Sequence, residues 1–184
     1  MNYEVTLGGM SLPSTYADRN CSLARALEVV GERWTLLVVR DAFFGVRRFG
    51  DFAAQLGIPR AVLTSRLKSL VREGVLTRDE LAGGSVEYRL TDKGIELWPI
   101  VRALMNWGDA HYSPAGARRA MRHDEDGAPL DGEGRCRDCD VVVPVQEIRT
   151  EPGPGFEPPR SAPDPVSGAM NSPRRLLEPI TTRE

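Results

Sequence analysis

Apolar residues recur at helical spacing from Leu23 onward, and glycines divide the pattern into short elements. Leu23, Ala26, Leu27 and Val30 predict a first helix over Ser22–Val30, with Ser22 as its N-cap. Gly31 interrupts, and Arg33–Phe44 predicts a second helix that buries Trp34, Leu37, Val38, Ala42 and Phe43. Phe49, Phe52 and Leu56 form the buried stripe of a third helix over Arg48–Leu56, and Gly57-Ile58 is the turn after it. Pro59 suits the first turn of a fourth helix, where a missing N–H costs little. That helix runs to Arg72 or Glu73, and Gly74 closes it. Val75–Arg78 and Val86–Leu90 are strand-like, with Ala82-Gly83-Gly84-Ser85 as the tip between them. Thr91 caps a long helix over Asp92–His111, which Pro99 must kink or split. Two short helices joined by a tight turn and followed by a hairpin predict a winged helix-turn-helix. The fold class is mainly α with a small β-hairpin wing, an α+β arrangement.

After Pro114 the pattern changes. Arg118–Asp140 is polar, and Val141–Val145 is a short strand candidate. Eight prolines lie between Pro152 and Pro179 without apolar periodicity, which predicts disorder. Four regions follow: an N-terminal arm over 1–20, the winged helix with its dimerisation helices over 21–113, a small extension with a C-x2-C hairpin over 114–150, and a Pro-rich tail over 151–184.

On a helical projection of the fourth helix, Leu63, Leu67 and Leu70 share the core face. Ala61, Ser65, Lys68 and Arg72 point away from it, with Arg60, Thr64 and Arg66 on the shoulders. Residues early in a reading helix reach base edges, while later cations meet phosphates. Arg60, Ala61, Thr64 and Ser65 are therefore candidate base contacts, and Lys68 and Arg72 candidate phosphate contacts. Arg47 and Arg48, at the start of the preceding helix, are placed for phosphates as well. Arg66 is expected in an intramolecular ion pair.

Charge sharpens this picture. The 184-residue chain carries a net charge of −2, so it is not a general polyanion binder. Between Arg33 and Arg72, however, eight basic residues face only Asp41 and Asp51. Such local neutralisation of phosphates drives DNA affinity. No apolar run approaches the roughly 20 residues that span a bilayer. Met1–Thr15 lacks the basic and apolar regions of a signal peptide, and a cytoplasmic location is expected. Cys21, Cys136 and Cys139 do not make a disulfide framework.

Several motifs in order resemble one family. They are Cys21–Leu27, Gly31-Glu32-Arg33-Trp34-Thr35-Leu36-Leu37, Arg40-Asp41, Phe43-Phe44-Gly45, Arg47-Arg48-Phe49, Leu63-Thr64-Ser65-Arg66-Leu67, Glu73-Gly74-Val75-Leu76, Val86–Thr91 and Lys93-Gly94. Over about Cys21–Gly108 the chain resembles the HxlR family of bacterial transcriptional regulators. The resemblance implies a winged-helix homodimer on double-stranded DNA, joined through the N-terminal segment and the long helix after the wing. Leu23, Leu27, Leu97, Trp98, Val101, Leu104, Met105 and Trp107 are the implied interface, with packing inside the protomer as the alternative. A twofold dimer implies an inverted-repeat operator, and repression is the expected sign of control. An apolar small-molecule effector would fit between the dimerisation helices, lined by Trp98, Met105 and Trp107. The wing departs from relatives that carry prolines and an arginine there: Gly83, Gly84 and Ser85 hold no cation.

Cys21 stands where some relatives carry a redox-sensing thiol; a small buried hydrophobe is the alternative. Cys136-Arg137-Asp138-Cys139 is a C-x2-C pair. Some relatives with this extension show a His, a Cys three residues later, and a C-x2-C-Gly. Here Asp126 follows His123 at that spacing and Asp140 replaces the glycine. His123, Cys136 and Cys139 are the candidate metal donors, with the carboxylates Asp124 and Asp126 nearby, where zinc takes four. No cofactor is expected, with zinc as the alternative.

Enzyme chemistry is not expected. The C-x2-C pair lies outside any βαβ pattern, and there is no phosphate-binding glycine loop, His-Glu-x-x-His or nucleophile elbow. A winged-helix module that binds protein instead of DNA is the alternative, favoured by the overall acidity and the cation-free wing tip.

Overall fold

The computed structural model of the chain describes residue 16 and residues 19–158 and 164–180. The arm expected over 1–20 lies almost wholly outside these. The helices are α1 (Ser22–Val30), α2 (Thr35–Phe43), α3 (Phe49–Leu56), α4 (Arg60–Arg72), α5 (Asp92–Ile95), α6 (Trp98–Tyr112) and α7 (Pro165–Met170). The strands are β1 (Leu76–Glu80), β2 (Val86–Leu90), β3 (Arg119–His123), β4 (Ile148–Pro152) and β5 (Arg174–Arg175). A 3-10 turn covers Val145–Glu147.

The helix ends follow local backbone chemistry. Cys21, not Ser22, is the N-cap of α1. Trp34 takes a left-handed φ of 79°, so α2 starts at Thr35, two residues later than its apolar pattern suggests. Gly57 closes α3 with φ 59°, a conformation open to glycine at little cost, and its N–H donates to the Ala53 carbonyl. Pro99 sits at the first turn of α6, so the long helix splits into α5 and α6 as its position demands. The Thr91 hydroxyl oxygen accepts from the Gly94 N–H at 3.1 Å, the cap read from the sequence.

The core joins one face from each helix. Val38, Val39 and Phe43 of α2, Phe52 of α3, and Leu63, Leu67 and Leu70 of α4 are buried together with Val75 and Leu76. Trp98 and Val101 complete it from α6, and the Trp98 ring packs on Phe43 with centroids 5.1 Å apart. β1 and β2 pair antiparallel from Leu76↔Leu90 to Glu80↔Val86. The Tyr88 N–H donates to the Arg47 carbonyl, and Arg48 bridges to Glu87, so the segment before α3 lines the wing.

The C-terminal region departs from expectation. The Pro-rich segment is built onto the winged helix over 164–180. Asp164 caps α7 through the Val166 and Ser167 N–H groups, with Pro165 next in line. Val166, Met170 and Leu176 are buried. β3, β4 and β5 form an antiparallel sheet with Thr150 paired to both Met121 and Arg174. The Leu177 N–H donates to the Phe43 carbonyl at 2.7 Å and the Ile180 N–H to the Gly45 carbonyl at 2.9 Å. Order here comes from pairing with elements already in place, so it leaves no periodic trace. Val141–Val145 is not a strand: Val142 makes one bridge to Arg135, and Pro144, which lacks an N–H, leads into the 3-10 turn.

Candidate nucleic-acid interface

α4 rests on Leu63, Leu67 and Leu70, and that burial fixes which of its residues face outward. Ala61, Ser65 and Lys68 are exposed, as is Arg60, whose guanidinium stacks over the Phe49 ring at 4.9 Å. That contact ties the start of α4 to α3 while leaving the charge in water. Thr64 is half-buried, and its hydroxyl donates to the Arg60 carbonyl at 2.8 Å, leaving its oxygen free to accept. Arg72 is exposed and donates to Glu73 at 3.0 Å and to the Ser69 hydroxyl at 3.1 Å. Arg66 turns back to Glu32 at 3.1 Å, the ion pair its shoulder position suggests.

Between α4 and the wing lies a groove of about 380 Å3 lined by Phe49, Thr64, Lys68, Val71, Arg72, Arg78 and Tyr88. It adds Arg78 of β1 to the cationic surface, a residue that the helix projection could not reveal. Its register opposite Tyr88 on the partner strand was the available signal. Arg78 also donates to Glu80 at 2.8 Å, which holds its charge more firmly. The rest of the wing neutralises itself: Arg89 lies 2.9 Å from Glu87 and 3.5 Å from Asp79.

Arg47 is placed differently from expectation. Its guanidinium donates to the Leu177 carbonyl at 3.2 Å and lies 3.8 Å from Glu87. Burial lowers its affinity for the proton and the nearby Arg89 charge adds to this. The C-terminal segment and β2 thus take the cation that α3 was expected to hold toward phosphates. Arg48 is half-buried at the N-cap of α3 and lies near Asp51. Burial holds the Asp51 carboxyl above the usual carboxylate range, with Arg48 opposing and Asp164 adding to the rise.

The expected interface residues divide in two. Trp98 and Val101 belong to the core of the chain itself, because α6 packs that face on α2. Leu97 and Met105 are half-buried against the same core. Leu23, Leu27, Leu104 and Trp107 are exposed, as is Ile100, which the pattern reading passed over. Val30 is the only buried residue of α1. The expected effector cavity does not form from its three residues. Met105 lines a cavity of about 450 Å3 with Arg40, Phe44, Arg119 and Phe156. Trp98 borders a separate one, and Trp107 stacks outside on His111 and Tyr112. Arg119 lies over the Phe44 and Phe156 rings, and burial brings its pKa down to about 10.

Cys21 is exposed at the start of α1. Cys136 and Cys139 meet His123 as their spacing allows, and Asp126 joins them, a residue that sequence reading discounted for not being a cysteine. Among the described residues no helix is long and apolar enough to cross a membrane.

Comparison with known proteins agrees with this geometry. Residues 29–115 match the family described as HxlR-like helix-turn-helix. The uncharacterized HTH-type transcriptional regulator Rv3095 of Mycobacterium tuberculosis is 45% identical over 139 residues, 74% of this chain and 88% of that protein. The uncharacterized HTH-type transcriptional regulator YvaP of Bacillus subtilis is 36% identical over 94 residues, 50% of this chain and 87% of that protein. The crystal structure of PA1607, titled as a candidate transcription factor, superposes with a TM-score of 0.58 at 35% identity, over 67% of this chain and 94% of that one. The chain belongs to the HxlR-like helix-turn-helix family of transcriptional regulators.

Proposed function

We propose that this chain is a cytoplasmic, DNA-binding transcriptional repressor that acts as a homodimer on an inverted-repeat operator. One observation carries the reading: α4 buries its leucines and turns Arg60, Ala61, Ser65 and Lys68 outward beside a groove that also holds Arg72 and Arg78. The exposed leucines of α1 and Leu104 and Trp107 of α6 support a second copy as the partner. Two reading helices would then stand about one DNA turn, roughly 34 Å, apart. The cavity beside Met105 and Arg119 is where a small-molecule effector would enter.

Fluorescence anisotropy on DNA from upstream of the chain's own gene tests this. Binding should weaken steeply with salt, and Arg60→Glu with Lys68→Glu should abolish it while the far-UV circular dichroism stays unchanged. Undiminished binding by that double variant would overturn the reading and leave a protein-binding module in its place.

A further inference from the structure

The extension carries two turns of the same construction. In the first, His123 and Asp126 stand three residues apart, the Gly127 N–H donates to the His123 carbonyl at 2.9 Å, and Gly127 takes φ 74°. In the second, Cys136 and Cys139 stand three residues apart, the Asp140 N–H donates to the Cys136 carbonyl at 3.0 Å, and Asp140 takes φ 58°. A left-handed residue directly after the second donor therefore recurs in both, and Asp adopts that conformation more readily than most residues. The two turns face one another.

Their donors converge. His123 Nδ1 lies 3.1 Å from Asp126 Oδ2 and 3.6 Å from Cys139 Sγ, and Cys136 Sγ lies 3.3 Å from Asp126 Oδ2. All four ligand atoms fall within 4.8 Å of one another. Zinc bonds of about 2.0–2.3 Å put tetrahedral donors roughly 3.3–3.8 Å apart. His123 and Cys136 are buried, while Asp126 and Cys139 close the outer side. The other oxygen of Asp126 accepts from the Ala128 N–H at 2.8 Å, which aims Oδ2 inward. His123 Nε2 stands 3.6 Å from Glu147 Oε2, on the side where a carboxylate commonly steadies a metal-bound imidazole.

We propose that His123, Asp126, Cys136 and Cys139 bind one zinc ion as a closed, four-coordinate structural site. Two thiolates with one imidazole and one carboxylate suit zinc better than a hard cation, which prefers oxygen. Binding would release the thiol protons to solvent. The site also has a place in the architecture. The loop between the two turns presents the Asp131 and Gly132 carbonyls to Arg102 and Asn106 of α6, the latter at 2.7 Å. The metal would thus fix the extension against the helix whose outer face is proposed for dimerisation.

Elemental analysis of the reduced full-length protein, purified without chelator, should find about one zinc per chain. Cys136→Ser with Cys139→Ser should remove it. Asp126→Ala should weaken zinc retention against a competing chromophoric chelator by about tenfold or more, and Asp126→Cys should restore it. Cobalt added to the zinc-free wild type should produce thiolate charge-transfer absorption and the visible bands of tetrahedral geometry. This readout needs no variant to fold and no DNA to bind. Absence of zinc together with absence of those cobalt bands would overturn the site, as would their persistence in the double serine variant.

Discussion

Arg66 Nη2 lies 3.1 Å from Glu32 Oε2, so the middle of α4 is tied to the turn ahead of α2. Glu32 is 64% exposed, and an ion pair so open to water contributes less than about 1 kcal/mol. The larger effect is expected on DNA binding. Glu32→Gln should leave thermal stability nearly unchanged and tighten DNA binding a few-fold, because a negative charge goes and Arg66 is released toward phosphates. Salt titrations of anisotropy would show a slope steeper by about one phosphate contact. Weaker binding in this variant would show that the pair serves to position α4.

Asp41 is fully buried beside Arg40, which donates to its Oδ1 from Nε at 2.8 Å, while Oδ2 has no partner. Burial raises its carboxyl above the usual range more than Arg40 lowers it. A carboxyl with a raised folded value favours the fold at low pH and loses that contribution as pH rises through the folded value. Asp41→Asn keeps the acceptor for Arg40 and cannot ionise. Its melting temperature relative to wild type should therefore climb as pH rises above about 4, the ordinary carboxylate value. A difference that stays flat, or falls, would contradict the ionisation cost assigned to this group.

Trp98 and Trp107 lie on one helix but face opposite demands. Trp98 packs on Phe43 inside the chain's own core, and Trp98→Ala should cost about 3–5 kcal/mol in denaturant unfolding. Trp107 is 55% exposed. If the proposed dimer forms through α6, light scattering should find a dimer for the wild type and a folded monomer for Trp107→Glu with Leu104→Glu. A dimer that survives the pair of glutamates would place the interface elsewhere.

Leu176 is 2% exposed, beside the bonds that carry the C-terminal segment past Ile148, Phe43 and Gly45. Leu176→Ala should lower unfolding free energy by about 2–5 kcal/mol, the range for a buried leucine. The transition should remain single when followed by tryptophan fluorescence, because Trp98 packs on the same Phe43 whose carbonyl the segment engages. Two separate transitions would mean that the extension and the winged helix unfold independently.

The winged helix was legible because its signals are local. The leucine spacing of α4, the glycine after α3, the threonine cap and Pro99 each act within one turn. Residues whose placement depends on distant chain were misread. Arg47 was assigned by its neighbours in sequence, yet Leu177 and Glu87 hold it. Trp98 and Val101 read as one apolar stripe with Leu104, although only packing against α2 decides which of them is inside. In the tail, proline content outweighed a short start signal that was present: Asp164 before Pro165, then Val166 and Met170 one turn apart. Asp126, noted at the spacing where relatives carry a cysteine, reads in sequence as a loss from the site, although a carboxylate binds zinc as well.

The docking of residues 174–180 onto the end of α2 also orders events during synthesis. Ribosomes extend chains from the N-terminus, so the winged helix emerges while the surface at Phe43 and Gly45 is still bare. After α6 about sixty further residues must be added before the strap that covers it exists. Any premature stop within that stretch would release a reader of DNA with an open seam, exposed to proteases and chaperones.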